Sequence, residues 1–221
     1  MAQRFVNGAL GAGLLLAWAA SVQAQTARLG PWGLQIGPAA GLNASTLGGP
    51  GAVGGSLASV YLGVALITPL KGAAYLEPQV LLYGTGGRTP AVDSTFGSGE
   101  RTIRLAYIEV PVLVGINLGA GRVHPRLFLG PTVGIGVDCS QSVTVGAINV
   151  QASSCDSIGL SPRSFDLGVT AGGGLTFLTS RGTFSVDARY TAGLTAIGRG
   201  TSQKNRTLSL GIEFGVALRR H

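Results

Sequence analysis

Charged residues are scarce in this sequence: Asp, Glu, Lys and Arg make up 11% of its 221 residues. Soluble domains contain about a quarter. Apart from the N-terminus, the chain also lacks an uninterrupted apolar run of about 20 residues, which a transmembrane helix requires. Because 45% of the residues are nevertheless hydrophobic, the composition excludes an ordinary soluble domain and a bundle of membrane helices. It favours β-strands that cross a membrane.

Histidine is almost absent, and this narrows the possible chemistry. His124 falls in a predicted short turn, and His221 is the last residue. An active site needs a nucleophile, a base or metal ligands within mutual reach, and two histidines at these positions do not supply one. The stretch "GGPGAVGG" lacks the Lys-Ser/Thr that completes a phosphate-binding loop. We therefore predict no enzymatic activity, no metal site and no cofactor.

Cysteine occurs only twice, at Cys139 and Cys155. In an exported chain, an even number of cysteines favours one disulfide bond, which would close a Ser- and Val-rich loop here. Such a bond is worth roughly 3 kcal/mol in the chain-entropy description. Two free thiols are the alternative.

The N-terminus has the features of a secretory signal peptide. Arg4 supplies a positive charge, "ALGAGLLLAWAASV" is an apolar core, and "VQA", ending at Ala24, has the small-x-small form of a cleavage site. We expect residues 1–24 to be removed and residues 25–221 to form one barrel domain. For an exported chain with only 6% aromatic residues and a net charge of +7, anionic lipid headgroups match the charge, and nucleic acid is excluded as a partner.

Alternation of apolar and polar residues is the main structural signal. In "RLAYIEVPVLVGINL", the even positions from Ala106 to Leu118 are apolar, whereas the odd positions include Tyr107, Glu109 and Asn117. A period of two is typical of a β-strand with unlike faces. Seven further segments repeat the pattern: "WGLQIGPAAGLN", "LASVYLGVALIT", "AAYLEPQVLLYG", "PRLFLGPTVGIGVD", "SFDLGVTAGGGLTF", "TFSVDARYTAGLTA" and "TLSLGIEFGVALR".

The connections between these eight segments alternate in length. "PLKG", "GAGRV" and "TSRG" are short, whereas "ASTLGGPGAVGGS", "TGGRTPAVDSTFGSGE" and the stretch from Cys139 to about Arg163 are long. Outer-membrane barrels have short periplasmic turns and long extracellular loops. We therefore predict an all-β fold, an eight-stranded antiparallel up-and-down transmembrane β-barrel in the bacterial outer membrane. The alternative is a soluble barrel of the lipocalin type, in which the apolar face would point inward.

Charged residues on the polar faces are the candidate site. If these faces line the lumen, seven ionisable side chains share it: Glu77, Glu109, Arg126, Asp166, Asp187, Arg189 and Glu213. Because eight strands enclose little more than their own side chains, we predict a mixed-sign network that fills the barrel. The alternative is a path for protons or ions. Asp138 shares this polar face, and Arg104 is expected on the lipid face near the outer rim.

Four of the segments resemble a known family. "LAYIEVPVLVGINL" followed by "PRLFLGPTVGIGV" resembles the Tyr-x-Glu-x-Pro and Gly-Pro segments of an outer-membrane β-barrel family of PorT-like and small OmpA/OmpX-like proteins, as found in Bacteroidetes. "FDLGVTAGGGLTF" and "VDARYTAGLTAI" resemble its next hairpin. The resemblance spans Trp32 to Leu218. It implies an eight-stranded outer-membrane barrel, and most members of the family have no assigned activity.

The C-terminus resembles the signal that the barrel-assembly machinery reads during insertion. The signal would comprise Ser209, Gly211, Phe214 and Val216, although the chain does not end on an aromatic residue. The other expected partners are the lipid bilayer and lipopolysaccharide, whose phosphates could pair with Arg104; snorkelling of Arg104 without a ligand is the alternative.

We predict a non-enzymatic outer-membrane protein with a structural or binding role through its extracellular loops. Two alternatives stay open. One is a small passive channel of the porin type, because glycine on the inner face leaves room for water. The other is an accessory component of protein secretion, which follows from the PorT-like resemblance.

Overall fold

The computed structural model describes residues 33–48, 55–93, 97–119, 121–145, 148–154, 165–180, 182–196 and 203–218. The predicted signal peptide, Trp32, Cys155 and His221 lie outside these residues. No helix in the described part of the chain is long and apolar enough to cross a membrane.

Nine antiparallel β-strands make up the described chain, and eight of them form a closed ring. Around the ring the order is β1-β2-β3-β4-β5-β7-β8-β9, and β9 pairs with β1. The short strand β6 pairs with the far end of β5. The predicted eight-stranded up-and-down barrel is therefore confirmed. The strands are β1 Gln35–Gly48, β2 Leu57–Pro69, β3 Ala74–Asp93, β4 Gly97–Asn117, β5 Val123–Val145, β6 Ile148–Ser154, β7 Phe165–Leu178, β8 Gly182–Gly193 and β9 Lys204–Ala217.

Polar residues fill the barrel and apolar residues cover its outside. Strand β9 shows this most clearly, because Thr207, Ser209 and Glu213 expose at most 2% of their surface, whereas Leu210 between them exposes 62%. A soluble barrel would have the opposite arrangement, so the lipocalin alternative is wrong. Exposed apolar side chains occur on every strand of the ring, among them Leu42, Val60, Leu82, Val114, Leu129, Val169, Val186 and Leu210.

The two ends of the barrel differ. One end, which we call the terminal rim, carries the short connections from β2 to β3, from β4 to β5 and from β7 to β8, together with both ends of the described chain. The Leu218 N–H donates to the Leu34 carbonyl there at 2.8 Å. Two of the turns use glycine with positive φ, +70° at Gly72 and +77° at Gly119, a conformation that other residues rarely adopt. The opposite end is the loop rim.

Three strands are much longer than the others. Strands β3, β4 and β5 contain 20, 21 and 23 residues, whereas the other strands of the ring contain 12 to 14. The expected long loop over residues 85–100 is therefore wrong: β3 runs to Asp93 and pairs with β4 from Gly97 onward. The sequence shows no alternation of apolar and polar residues there, because these strand ends lie beyond the exposed apolar residues of the ring and neither of their faces contacts lipid.

The outer ends of these strands leave the ring as a sheet of their own. Strand β2 makes its last pair with β3 at Tyr61↔Tyr83, and β7 makes its last pair with β5 at Ile135↔Phe165. Beyond these pairs, β3, β4 and β5 pair with one another and with β6. The start of the β3 arm still contacts the barrel, because the Arg88 N–H donates to the Gly55 carbonyl at 3.2 Å and the Thr85 hydroxyl donates to Asn205 Oδ1 at 2.8 Å. We call residues 85–93, 97–105, 139–145 and 148–154 the projecting sheet. At about 3.3 Å per residue, its β3 arm extends roughly 30 Å along the strand.

A β-bulge separates the barrel from the projecting sheet. The β4–β5 register pairs Tyr107 with Gly136 but Ala106 with Asp138, so Val137 is an extra residue. Because one additional residue reverses which face each later side chain occupies, Cys139 comes to the inner side. The expectation that Asp138 shares the inner face is wrong for this reason: it is exposed.

Candidate functional site: the charged interior of the barrel

Four buried ionisable side chains meet on the inner face of β3, β5 and β8. Arg126 Nη2 donates to both carboxylate oxygens of Glu77, at 3.1 and 3.2 Å, and lies 3.7 Å from Asp187 Oδ2. Asp187 Oδ1 accepts a hydrogen bond of 3.0 Å from Arg189 Nε and forms an ion pair with Arg189 Nη2 at 2.9 Å. None of the four side chains exposes more than 3% of its surface. They form one continuous ion-paired chain across the lumen.

Gln79 connects this chain to Glu213 on β9. Its amide donates to Glu77 Oε1 at 2.5 Å and to Glu213 Oε2 at 3.3 Å. Its carbonyl accepts a hydrogen bond of 2.9 Å from Arg189. The side chain of Gln79 is 1% exposed. Gln79 carries no charge, so the charge pattern of the sequence does not identify it as part of the site. It lies two residues after Glu77 in "YLEPQVLLY", however, and residues two positions apart on a strand share a face.

Aromatic rings sandwich both arginines. The Arg126 guanidinium carbon lies 5.5 Å from the centroid of the Tyr75 ring and 5.0 Å from that of Phe128. Arg189 lies 5.3 Å from Tyr61 and 5.6 Å from Phe128. At these distances the ring face attracts the cation. The charge pattern of the sequence predicts the ionisable members of the site but not its aromatic members.

Glycines on neighbouring strands make room for these rings. A Cβ at Gly41 or Gly211 would collide with Tyr61, and one at Gly115 would collide with Tyr75. At Gly172 a Cβ would come too close to Phe128. The glycine-rich inner face is thus occupied by aromatic side chains at this level.

The ion-paired chain lies among other buried side chains of the barrel interior. Tyr61, Tyr83, Leu81 and Leu113 are also inside the barrel and expose 0 to 2% of their surfaces. Eight strands enclose an interior that side chains can just fill. Three carboxylates, those of Glu77, Asp187 and Glu213, face the two guanidinium groups, so the cluster carries more acids than bases.

Two of the seven predicted interior residues lie apart from this cluster. Glu109 is 8% exposed on the inner face of β4, and Asp166 is half-buried on β7, where it accepts a hydrogen bond from the Thr195 hydroxyl. Both pair in register with Gly134 from opposite sides. Neither is ion-paired to Arg126 or Arg189. They belong to a separate level, nearer the loop rim.

The remaining candidates occupy the two rims. Arg104 is exposed on the outer face of β4, in register with Gly86 and Ser140. His124 begins β5, and its Nε2–H donates to the Gly121 carbonyl at 2.8 Å. Cys139 packs beside Ile103 and Leu105 on the inner side of the projecting sheet. Within the described residues no group of three or more His, Cys, Asp or Glu side chains is arranged to hold a metal ion.

Comparison with known families agrees with this architecture. Residues 23–198 match the family described as outer membrane protein beta-barrel domain. The chain belongs to this outer-membrane β-barrel family. The apolar outer face is therefore embedded in the bilayer of a bacterial outer membrane. A search of curated proteins returned no match.

Several solved structures of outer-membrane proteins are similar to this chain. Neisserial surface protein A is 11% identical, with a TM-score of 0.48, over 84% of this chain and 97% of that one. The attachment invasion locus protein Ail of Yersinia pestis is 13% identical, with a TM-score of 0.41, over 83% and 99% of the two chains. The N-terminal β-barrel domain of Pseudomonas aeruginosa OprF is 12% identical, with a TM-score of 0.34, over 82% and 99%.

Proposed function

We propose that this protein is a non-conducting, non-enzymatic outer-membrane barrel that acts by binding at the cell surface through its projecting sheet. The proposal rests on a difference between the barrel and the outer ends of its longest strands. The barrel interior contains buried ion pairs, whereas the three longest strands continue past the last pairs of their ring neighbours and pair with one another.

The orientation follows from the lengths of the connections. Short turns face the periplasm in outer-membrane barrels and longer segments face the exterior. We assign the terminal rim to the periplasm and the loop rim, with the projecting sheet, to the outside. Cleavage after Ala24 and insertion by the barrel-assembly machinery are part of the same proposal.

The outer face of the projecting sheet is polar and basic where it approaches the membrane. Arg88, Glu100 and Arg104 line an open depression of about 560 Å³ together with neighbouring hydroxyl side chains. Arg88 and Glu100 are 3.5 Å apart and about half exposed. Arg104 lies four pairs beyond the lipid-facing Ile108. An arginine pair at this height is suited to the phosphate groups of lipopolysaccharide, which supports this lipid as the first binding partner.

Phosphate-dependent binding tests the surface role. Refolded mature protein should bind lipopolysaccharide micelles, and Arg88→Ala combined with Arg104→Ala should weaken binding several-fold in low salt, since exposed charge pairs are screened by salt. Arg101→Ala, at an exposed position on the other face of the projecting sheet, is the matched control. Equal binding of dephosphorylated lipopolysaccharide, or no effect of the double substitution, would contradict the lipopolysaccharide assignment.

Planar-bilayer recording tests the closed interior. The refolded mature protein should show no stable conductance steps, because buried ion-paired side chains occupy the lumen. Stable, ion-selective steps that disappear in Glu109→Gln would favour the passive channel instead.

A further inference from the structure

The terminal rim carries basic residues and no acidic ones. Each of its three short connections contains one cation, and two more follow the last strand. They are Lys71 between β2 and β3, Arg122 between β4 and β5, Arg181 between β7 and β8, and Arg219 and Arg220 after β9. None of the nine acidic residues of the chain falls in these four segments. We call the five cations the basic collar; the last three lie outside the described residues and are placed by their order in the sequence.

The apolar outer surface of the barrel continues to the residue beside each described cation. Leu70 directly precedes Lys71 and exposes 36% of its surface, and Val123 directly follows Arg122 and exposes 46%. Leu118, at the other end of the second connection, exposes 41%. Turns that face water are normally polar. Exposed leucines at these positions indicate that hydrocarbon reaches the rim, so the neighbouring cations lie at the level of the lipid headgroups.

Backbone hydrogen bonds hold these connections against the barrel. The Leu70 N–H donates to the Ala74 carbonyl at 2.8 Å, and the Leu178 N–H donates to the Arg122 carbonyl at 2.8 Å. The side chains of Lys71 and Arg122 are nevertheless exposed. Neither is ion-paired with another described residue. Both charges are therefore fixed near the membrane surface and are available to an anion.

Three phenylalanines mark the same end of the barrel as a membrane interface. Phe177, Phe184 and Phe214 are in register across β7, β8 and β9, with ring centroids 6.0 and 4.8 Å apart. Phe214 exposes 49% of its surface, and Phe177 is the last residue but one of β7. Aromatic side chains are enriched where a barrel passes from hydrocarbon to headgroups. This observation places the headgroup level beside the short connections independently of the leucines.

We propose that the terminal rim binds anionic phospholipid headgroups through the basic collar, in preference to zwitterionic ones. Each lysine or arginine near a bilayer surface attracts anionic lipid, and arginine forms charge-assisted hydrogen bonds with phosphate. A phospholipid is a better match than a soluble acidic partner, because the described cations adjoin lipid-facing Leu70 and Val123. The assignment to the periplasmic leaflet rests on the proposed orientation of the barrel, whereas the preference for anionic headgroups does not.

Local fluorescence quenching tests the preference. In refolded mature protein without native cysteines, a fluorophore on Ala73→Cys, an exposed position of the β2–β3 connection, reports on nearby lipid. Phosphatidylcholine vesicles contain an equal fraction of nitroxide-labelled phosphatidylglycerol or nitroxide-labelled phosphatidylcholine. Phosphatidylglycerol should quench as though it were enriched about fivefold beside the label. The enrichment should fall towards one in high salt, because salt screens exposed charges.

Matched variants locate the effect. Lys71→Gln, Arg122→Gln and Arg181→Gln together should make quenching by the two lipids equal. The control, Arg101→Gln with Lys204→Gln and Arg206→Gln, removes the same charge from exposed positions towards the loop rim. It should leave the enrichment beside Ala73→Cys unchanged, because the label senses only nearby lipid. The salt dependence of the unsubstituted protein gives a second test if the first triple variant does not fold.

Two results would overturn the proposal. One is equal quenching by both lipids in low salt, and an accompanying response of the fluorophore to added hexaglutamate would then identify a soluble acidic partner. The other is an enrichment that persists in the folded variant lacking Lys71, Arg122 and Arg181. Both leaflets of the vesicles have the same composition, so the outcome does not depend on the orientation of the barrel, which labelling of intact cells tests separately.

Discussion

Arg126 holds both carboxylate oxygens of Glu77, at 3.1 and 3.2 Å, in a place where neither side chain exposes more than 2% of its surface. Arg126→Ala would leave the carboxylate buried without its main partner, and we expect a loss of about 3–5 kcal/mol in the free energy of unfolding. Denaturant titration of the lipid-refolded protein, followed by the shift in gel mobility on heating, measures this loss.

The control is Arg104→Ala, at an exposed position on the same barrel, which should change stability by less than about 0.5 kcal/mol. Replacing both members, as Arg126→Met with Glu77→Leu, should recover part of the loss, because no charge of this pair then stays buried. If Arg126→Ala is no worse than Arg104→Ala, the ion pair does not stabilise the interior.

We predict that position 211 must be glycine, because the Tyr61 side chain lies directly beside it. A Cβ at this position would collide with the Tyr61 hydroxyl, so Gly211→Ala should destabilise the barrel by about 1–3 kcal/mol through overpacking. Tyr61 Oη has no hydrogen-bond partner among the described residues. Tyr61→Phe alone should therefore be nearly neutral and should rescue Gly211→Ala.

Gly33→Ala is the matched control, since a Cβ there has no atom within 4 Å. The same denaturant titration serves for all four variants. Failure of Tyr61→Phe to rescue Gly211→Ala would show that the main cost lies in the backbone and not in the tyrosine.

A Cys139–Cys155 disulfide is predicted at the base of the projecting sheet. The β5–β6 ladder pairs Gln141 with Ser153 and Ser140 with Ser154, and each cysteine is the next residue of the chain beside this last pair, Cys139 before Ser140 and Cys155 after Ser154. Oxidised mature protein should react with no thiol reagent until it is reduced. Reduction, or Cys139→Ser with Cys155→Ser, should cost roughly 3 kcal/mol. Two thiols that react in the oxidised, denatured protein would disprove the bond.

Labelling of intact cells tests the orientation. In a chain without native cysteines, Arg101→Cys lies on the projecting sheet and Lys71→Cys lies on a short turn; both positions are exposed. A membrane-impermeant maleimide added to whole cells should label the first and not the second. After lysis both should react equally. Labelling of Lys71→Cys in intact cells would reverse the assigned orientation.

The sequence predicts the ring of strands well, and physical reasons explain where it fails. Alternation identifies β9 because one face meets hydrocarbon and the other meets the lumen. The two faces of β3 after Thr85 do not meet such different surroundings, so the residue pattern there does not predict a strand. The alternation also places Glu109 on the inner face, but it does not give the position of Glu109 along the barrel axis. Only the structure shows that Glu109 lies apart from the ion-paired chain that contains Glu77. Gln79 and Phe128 join that cluster by packing, which charge alone does not reveal.

The alternating strands also bear on how the chain reaches its membrane. Polar residues at many inner positions interrupt the apolar residues of the strands, although the outer face of each strand is largely apolar. The inner membrane retains segments that are apolar throughout. Strands with polar residues on one face are therefore not inserted into it as transmembrane helices. The polar core is thus what allows a hydrophobic-surfaced protein to pass through one bilayer and insert into another.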